Sequence, residues 1–244
     1  AKMRSQAGFV VDLTQNSEQI PLTLRLYGSC PSETKPDELM DKLHDLRQRI
    51  ITSSKFNGSR IIGFLLNEDC INRSIDQLSV ADYIWERKGV VPLLKLNDTL
   101  APLRNGVQLM EALPSDELLQ KASRLGFYGV QMRSVIRHPH SKGVKSAVAQ
   151  QLLFTQQALR RGLAPVLQLD VDPNAPDKAL CEHLLLEELL DGLSRLLENE
   201  RVILSLTLPE EQNLYLPLVE HARTLRVMAW SSGYEGREAC TKLA

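Results

Sequence analysis

Seven short, near-continuous apolar runs recur along this chain, and the segments between them are longer, charged and helical in period. The runs are Gly8–Leu13, Ile61–Leu66, Val90–Leu96, Gly129–Met132, Ala164–Val171, Val202–Leu206 and Arg226–Trp230. A strand apolar on both faces must be covered on both, which is the condition of a parallel sheet flanked by helices. The intervening segments supply such helices. From Pro36 onward, Leu39, Leu43 and Leu46 share one face, and Asp177 to Leu197 predicts a long amphipathic helix with Glu182, Glu188 and Asp191 on its outer side. Pro114-Ser-Asp-Glu117 and Asn174-Ala-Pro-Asp177 mark two helix starts, with cap residues and acids where the first-turn N–H groups need acceptors. Regular strand–helix alternation predicts an α/β fold closed as a (β/α)8-type barrel rather than an open sheet. Seven units are visible, and the sequence ends inside the helical pattern after the seventh. The expectation is therefore an eighth unit missing from this sequence, or a barrel left open.

No composition break or linker divides residues 1–244, so one domain is expected. Formal net charge is −1 with both signs interspersed, which leaves no electrostatic footprint for nucleic acid or an anionic membrane. No apolar run approaches the roughly 18 residues of a membrane span, and Ala1-Lys-Met-Arg4 lacks the apolar core of a signal peptide. Cys30, Cys70, Cys181 and Cys240 are scattered, as in a reducing compartment, so a cytoplasmic protein is expected. No glycine-rich phosphate loop follows the first strand, and no cofactor is expected.

Barrels of this kind carry their chemistry at the C-terminal ends of the strands. Those ends hold Thr14, Glu68, Lys95, Arg133, Gln168 with Asp170, Ser205 with Thr207, and Ser231 with Ser232. Alternation along a strand places Asp12 on the face of Thr14, Gln131 on that of Arg133, and Gln168 on that of Asp170. Lys95 is either a reactive amine or a cation paired with Asp12 or Asp170. Arg133 either clamps a phosphate or makes an internal ion pair with the same carboxylates. Asp12 is either an acid/base group or a structural partner of those cations. His138-Pro-His140 offers two imidazoles but no third ligand at a recognisable spacing, so a solvated loop and no metal are expected. Cys70 reads as an inert thiol and Glu68 as structural or a site remnant.

Several strings in one order resemble the bacterial branch of the class I fructose-1,6-bisphosphate aldolases: Gly89-Val-Val-Pro-Leu-Leu-Lys95, Asn105-Gly-Val-Gln-Leu-Met110, Gln131-Met-Arg-Ser134, Leu204-Ser-Leu-Thr-Leu-Pro209 with Asn213-Leu-Tyr215, and Ser231-Ser-Gly-Tyr234. The resemblance runs from Lys2 to about Leu243. It implies an aldolase-type barrel and a site for a sugar phosphate. In that family a strand-six lysine forms a Schiff base with the ketone, and a carboxylate–lysine set moves the protons. The matching positions here are Ser205 for the Schiff-base lysine, Thr14 for the first-strand aspartate, Gln131 for the strand-four lysine and Gln168 for a strand-five glutamate. Lys95 and Arg133 are retained, as is the small-residue turn Ser231–Gly233.

A serine hydroxyl forms no imine, and glutamine exchanges no protons near neutral pH. The resemblance therefore implies a catalytically inactive homologue serving as a structural, regulatory or interaction module with an unknown protein partner. One alternative is an active lyase or sugar-phosphate enzyme rebuilt around Lys95, Asp12 and Asp170. Another is a sensor that holds a phosphate on Lys95, Arg133, Ser231 and Gly233 without reacting. An open barrel would leave strand edges to be covered, so a homo-oligomer is also in view.

Overall fold

The computed structural model describes residues 2–14, 19–28, 35–96 and 99–230. They group into two compact units, residues 1–95 with 124–128, and residues 96–123 with 129–244.

The first unit opens with helix α1 (Lys2–Ser5), strand β1 (Phe9–Asp12) and helices α2 (Gln19–Leu26) and α3 (Pro36–Thr52). Strand β2 (Ile61–Asn67) runs into a 3-10 turn at Glu68–Asn72, a small hairpin of β3 (Ser74–Ile75) and β4 (Leu78–Ser79), helix α4 (Val80–Lys88) and strand β5 (Val91–Lys95). β2 is the centre of this sheet, parallel to β1 (Asp12 opposite Leu65) and to β5 (Asn67 opposite Lys95). Ile62 and Phe64–Leu66 are at most 1% exposed, as a strand covered on both faces requires. α2 lays Ile20 and Leu24 on Leu43 of α3. α4 is bounded by local chemistry: the Ser79 hydroxyl accepts from Asp82 N at 3.0 Å, and Gly89 takes the left-handed conformation (φ 63°) that ends the helix.

The second unit contains β6 (Val107–Gln108), α5 (Asp116–Arg124, its last residue in the first unit), β7 (Gly129–Ile136) and α6 (Ser141–Arg160). β8 (Ala164–Val171), α7 (Lys178–Ser194), β9 (Val202–Thr207), α8 (Leu216–Glu220) and β10 (Thr224–Trp230) complete it. β7, β8, β9 and β10 are parallel in that order, with Arg133 opposite Gln168, Gln168 opposite Ser205 and Ser205 opposite Met228. Leu167, Leu169 and Val171 of β8 and Leu204 and Leu206 of β9 pack with Leu185, Leu189 and Leu193 of α7 in one apolar cluster. Alternation then turns Gln168, Asp170 and Ser205 to the opposite face.

The seven expected strands all appear, with ends shifted by up to four residues. β7 is the largest shift: it continues to Ile136, so Arg133 lies within the strand rather than at its end. The apolar run breaks at Arg133 because that side chain enters a polar network, while the backbone stays extended. The helical pattern after Trp230 lies outside the described residues.

A second correction concerns α7. Glu182, expected on the outer side, is fully buried, whereas Asp191 is exposed. Glu182 accepts a hydrogen bond from Lys178, one turn earlier, and a second from Glu210 N at 2.9 Å. Lys178 also donates to Leu208 O at 3.0 Å, so this buried pair fastens the exit of β9 to α7.

Candidate functional site

The candidate residues fall into two groups, one in each unit. In the second unit, Gln131, Gln168, Asp170 and Ser205 are at most 3% exposed. Arg133 Nε donates to Asp170 Oδ2 at 2.8 Å, with the Asp170 side chain 5% exposed. Gln168 Nε2 lies 3.1 and 3.0 Å from the two Asp170 oxygens, and Gln131 Nε2 donates to Gln168 Oε1. The direction of this chain follows from its acceptor. An ionised carboxylate only accepts, so Gln168 must present its NH₂ to Asp170 and its carbonyl to Gln131. Gln131 must then present its own NH₂, and its Oε1 is left buried without a partner. Arg133 with Asp170 is one of the two pairings that strand parity allowed.

Ser205 stands on β9 directly opposite Gln168. Thr207, two residues on, accepts from Val171 N at 3.1 Å and ties β9 to β8. From the helix side, Gln151 of α6 donates to Met132 O and Ser134 Oγ, both at 3.1 Å, and to Gln168 O at 3.3 Å. Sequence reasoning missed Gln151. Its signal was a lone amide on the apolar stripe of α6, between the buried residues Val148 and Phe154. The arrangement joins the neutral amides of Gln131 and Gln168 to the Arg133–Asp170 ion pair and contains no amine.

In the first unit, Lys95 Nζ donates to Thr14 Oγ1 at 3.3 Å, and Asp12 Oδ1 accepts from Thr14 N at 2.7 Å. All three residues are half-buried. Asp12, expected to pair with Lys95 or Arg133, instead turns back on its own strand end. A short carboxylate two residues before a free N–H satisfies it locally, as in an Asx turn.

His138 and His140 are both exposed in the loop after β7, as expected, and His140 Nδ1 also accepts from Gly143 N at 3.2 Å, capping α6. Gly143 is required there, because a Cβ would collide with the Asn105 carbonyl. Glu68 opens the 3-10 turn after β2. Cys70 contacts buried Arg47, whose guanidinium also binds Asp69 Oδ2 at 2.5 Å and Asn67 Oδ1 at 3.1 Å. Burial pushes the Cys70 thiol up to about 12, against the pull of Arg47, which leaves it a poor nucleophile. Ser231 and Gly233 lie outside the described residues. Among the described residues no group of three or more His, Cys, Asp or Glu is placed to hold a metal, and no helix is long and apolar enough to cross a membrane.

No family model matches the chain. Over 245 residues it is 41% identical to the class 1 fructose-bisphosphate aldolase of Synechocystis sp., covering all of this chain and 82% of that protein. Among solved structures it resembles the fructose-bisphosphate aldolase of Plasmodium falciparum, in a ternary complex with TRAP and a small-molecule inhibitor. The TM-score is 0.75 over 99% of this chain and 76% of that one. Sequence identity to the latter is 13%, so that likeness speaks for the fold alone, an α/β barrel of the aldolase type. Full-length identity to the former carries ancestry as well: the chain belongs to the class I fructose-bisphosphate aldolase family.

Proposed function

We propose that this chain is a non-catalytic member of its family, a barrel retained as a structural, regulatory or interaction module. The reading rests on Ser205, which the resemblance matches to the Schiff-base lysine and which lies opposite Gln168 on β9. Imine formation needs an amine at that point, and the groups beside it are amides that neither give nor take protons near neutral pH. Asp170, the carboxylate of this network, is engaged by Arg133 and Gln168. Thr14 likewise replaces a carboxylate beside Lys95. The chain forms one domain over residues 1–244 and works in the cytoplasm on this reading. A sugar phosphate at Arg133 is one ligand this reading allows, and a protein partner is the alternative readout.

One observation favours a second reading. Lys95 is a half-buried amine at the end of β5, and its family relative in Synechocystis is named as an aldolase. An active lyase would use Lys95 as the amine, with Asp12 or Asp170 moving protons. Borohydride trapping with fructose 1,6-bisphosphate and dihydroxyacetone phosphate, read by peptide mass, separates the two. The expected result is no adduct while a control aldolase traps normally. An adduct on Lys95, with cleavage abolished in Lys95→Met, would overturn the non-catalytic reading.

A further inference from the structure

Strands of parallel sheets need cover on both faces, and β1 lacks the burial that such cover brings. None of its four residues is buried, and Phe9 is 71% exposed. Beside it the first unit opens a cleft of about 840 Å³. Its floor is apolar: Val11 of β1, Ile61 at the start of β2, Phe56, and Leu46 and Ile50 of α3. Among the described residues that line it, Lys42, Arg49 and Lys55 outnumber the one carboxylate, Asp45.

We propose that this cleft seats an amphipathic helix of a partner protein, with leucine-like side chains on the floor and carboxylates against the cationic rim. Two features select a helix. Lys42, Leu46, Arg49 and Ile50 form one stripe of α3, whose ridge accepts a second helix packed alongside. The outward face of a parallel strand is likewise a surface that helices cover. The charge imbalance selects an acidic occupant. Lys42 and Arg49 lie seven residues apart, two helical turns or about 10 Å, so carboxylates seven residues apart on the partner meet both cations. The lysine and arginine stems extend over the apolar floor, which lets the heads reach those carboxylates from the rim. The leucine-rich acidic helix of a second copy, α7, is not available for the role, because Leu185, Leu189 and Leu193 are committed to its own core.

This deepens the reading of the chain as an interaction module, yet the docking stands or falls separately from imine chemistry. The test is fluorescence anisotropy of the full chain with a labelled 18-residue peptide. That peptide carries leucines at helical spacing and glutamates at positions i and i+7; a second peptide has every glutamate replaced by lysine. The acidic peptide should bind, weaken with added salt, and lose at least about tenfold in affinity in Lys42→Glu/Arg49→Glu, as should the basic peptide on the wild-type chain. Circular dichroism checks that the double variant is folded. Equal binding of the two peptides, or full binding to the double variant, would overturn the proposal. So would p-benzoylphenylalanine at position 49 cross-linking to residues 231–244 of the same chain, since the cleft would then hold its own tail. A trapping experiment that finds Lys95 reactive would leave this result untouched.

Discussion

Asp12 and Asp170 lie near the ends of comparable strands, one in each unit, and meet different fates. Asp170 is 3% exposed and accepts from both Arg133 and Gln168, with Gln131 extending the chain by one more amide. Asp12 is half-buried and satisfied by the N–H of Thr14, two residues along its own backbone. Burial forbids an unpaired charge, so a buried carboxylate recruits lateral partners across neighbouring strands, whereas a partly solvated one settles locally. The second unit therefore holds a cross-strand network in which the groups neutralise one another. In the first, the Lys95 amine donates to the Thr14 hydroxyl, and Asp12 is met by the Thr14 N–H.

The largest effect expected from this contrast concerns chemistry. Ser205→Lys places an amine beside Gln168 in the second unit but leaves Gln131 and Gln168 unable to relay protons. It should permit borohydride trapping of dihydroxyacetone phosphate, while cleavage of fructose 1,6-bisphosphate stays at least about 10³-fold below a control aldolase. Turnover restored by that single substitution would show that the amides do not limit the reaction. The comparison between the networks would then carry no functional weight.

Stability gives the next largest effect. Asp170→Ala removes the acceptor of the Arg133 guanidinium and of the Gln168 amide at a buried position, and should cost about 3 kcal/mol. Asp12→Ala removes one bond to a half-solvated N–H and should cost under about 1 kcal/mol. Chemical denaturation of both variants checks the ratio. Equal losses would mean that Asp12 has partners as demanding as those of Asp170, and the contrast between the units would fail.

These differences were only partly legible in the sequence. Strands covered on both faces announce themselves as apolar runs, and Ala164–Val171 has the same limits in sequence and structure. Parity along β7 and β8 also made the Arg133–Asp170 pair one of two readable options, because period two is a property of any strand. What could not be read was which neighbour wins. Asp12 had the same cations in prospect, but a backbone N–H two residues away is closer than any side chain. Glu182 misled for a related reason: helical periodicity ranks charged residues outward, and only the fold brings Glu210 N to meet it beside Lys178. The two-residue strands β3, β4 and β6 are too short for any period to register.

The smallest expected effect returns to the first unit and to pH. His44 of α3 is half-buried, and its imidazole is held below its ordinary value of 6.5. Burial is the main cause and the Arg73 charge adds to it, against opposing contributions from a Ser74 backbone hydrogen bond and Asp45. The fold thus favours neutral His44, while the unfolded chain takes up the proton at the ordinary value. Between the two values the unfolded state binds more protons, so stability is full above about pH 6.5 and declines as pH falls toward the folded value. His44→Gln should flatten that part of a stability-versus-pH curve taken from roughly pH 7 to 5, above the range where most carboxylates titrate. Asp170→Asn in the second unit should leave the same slope in place. A slope that survives His44→Gln would assign the proton uptake to another group and remove His44 as the difference in pH response between the units.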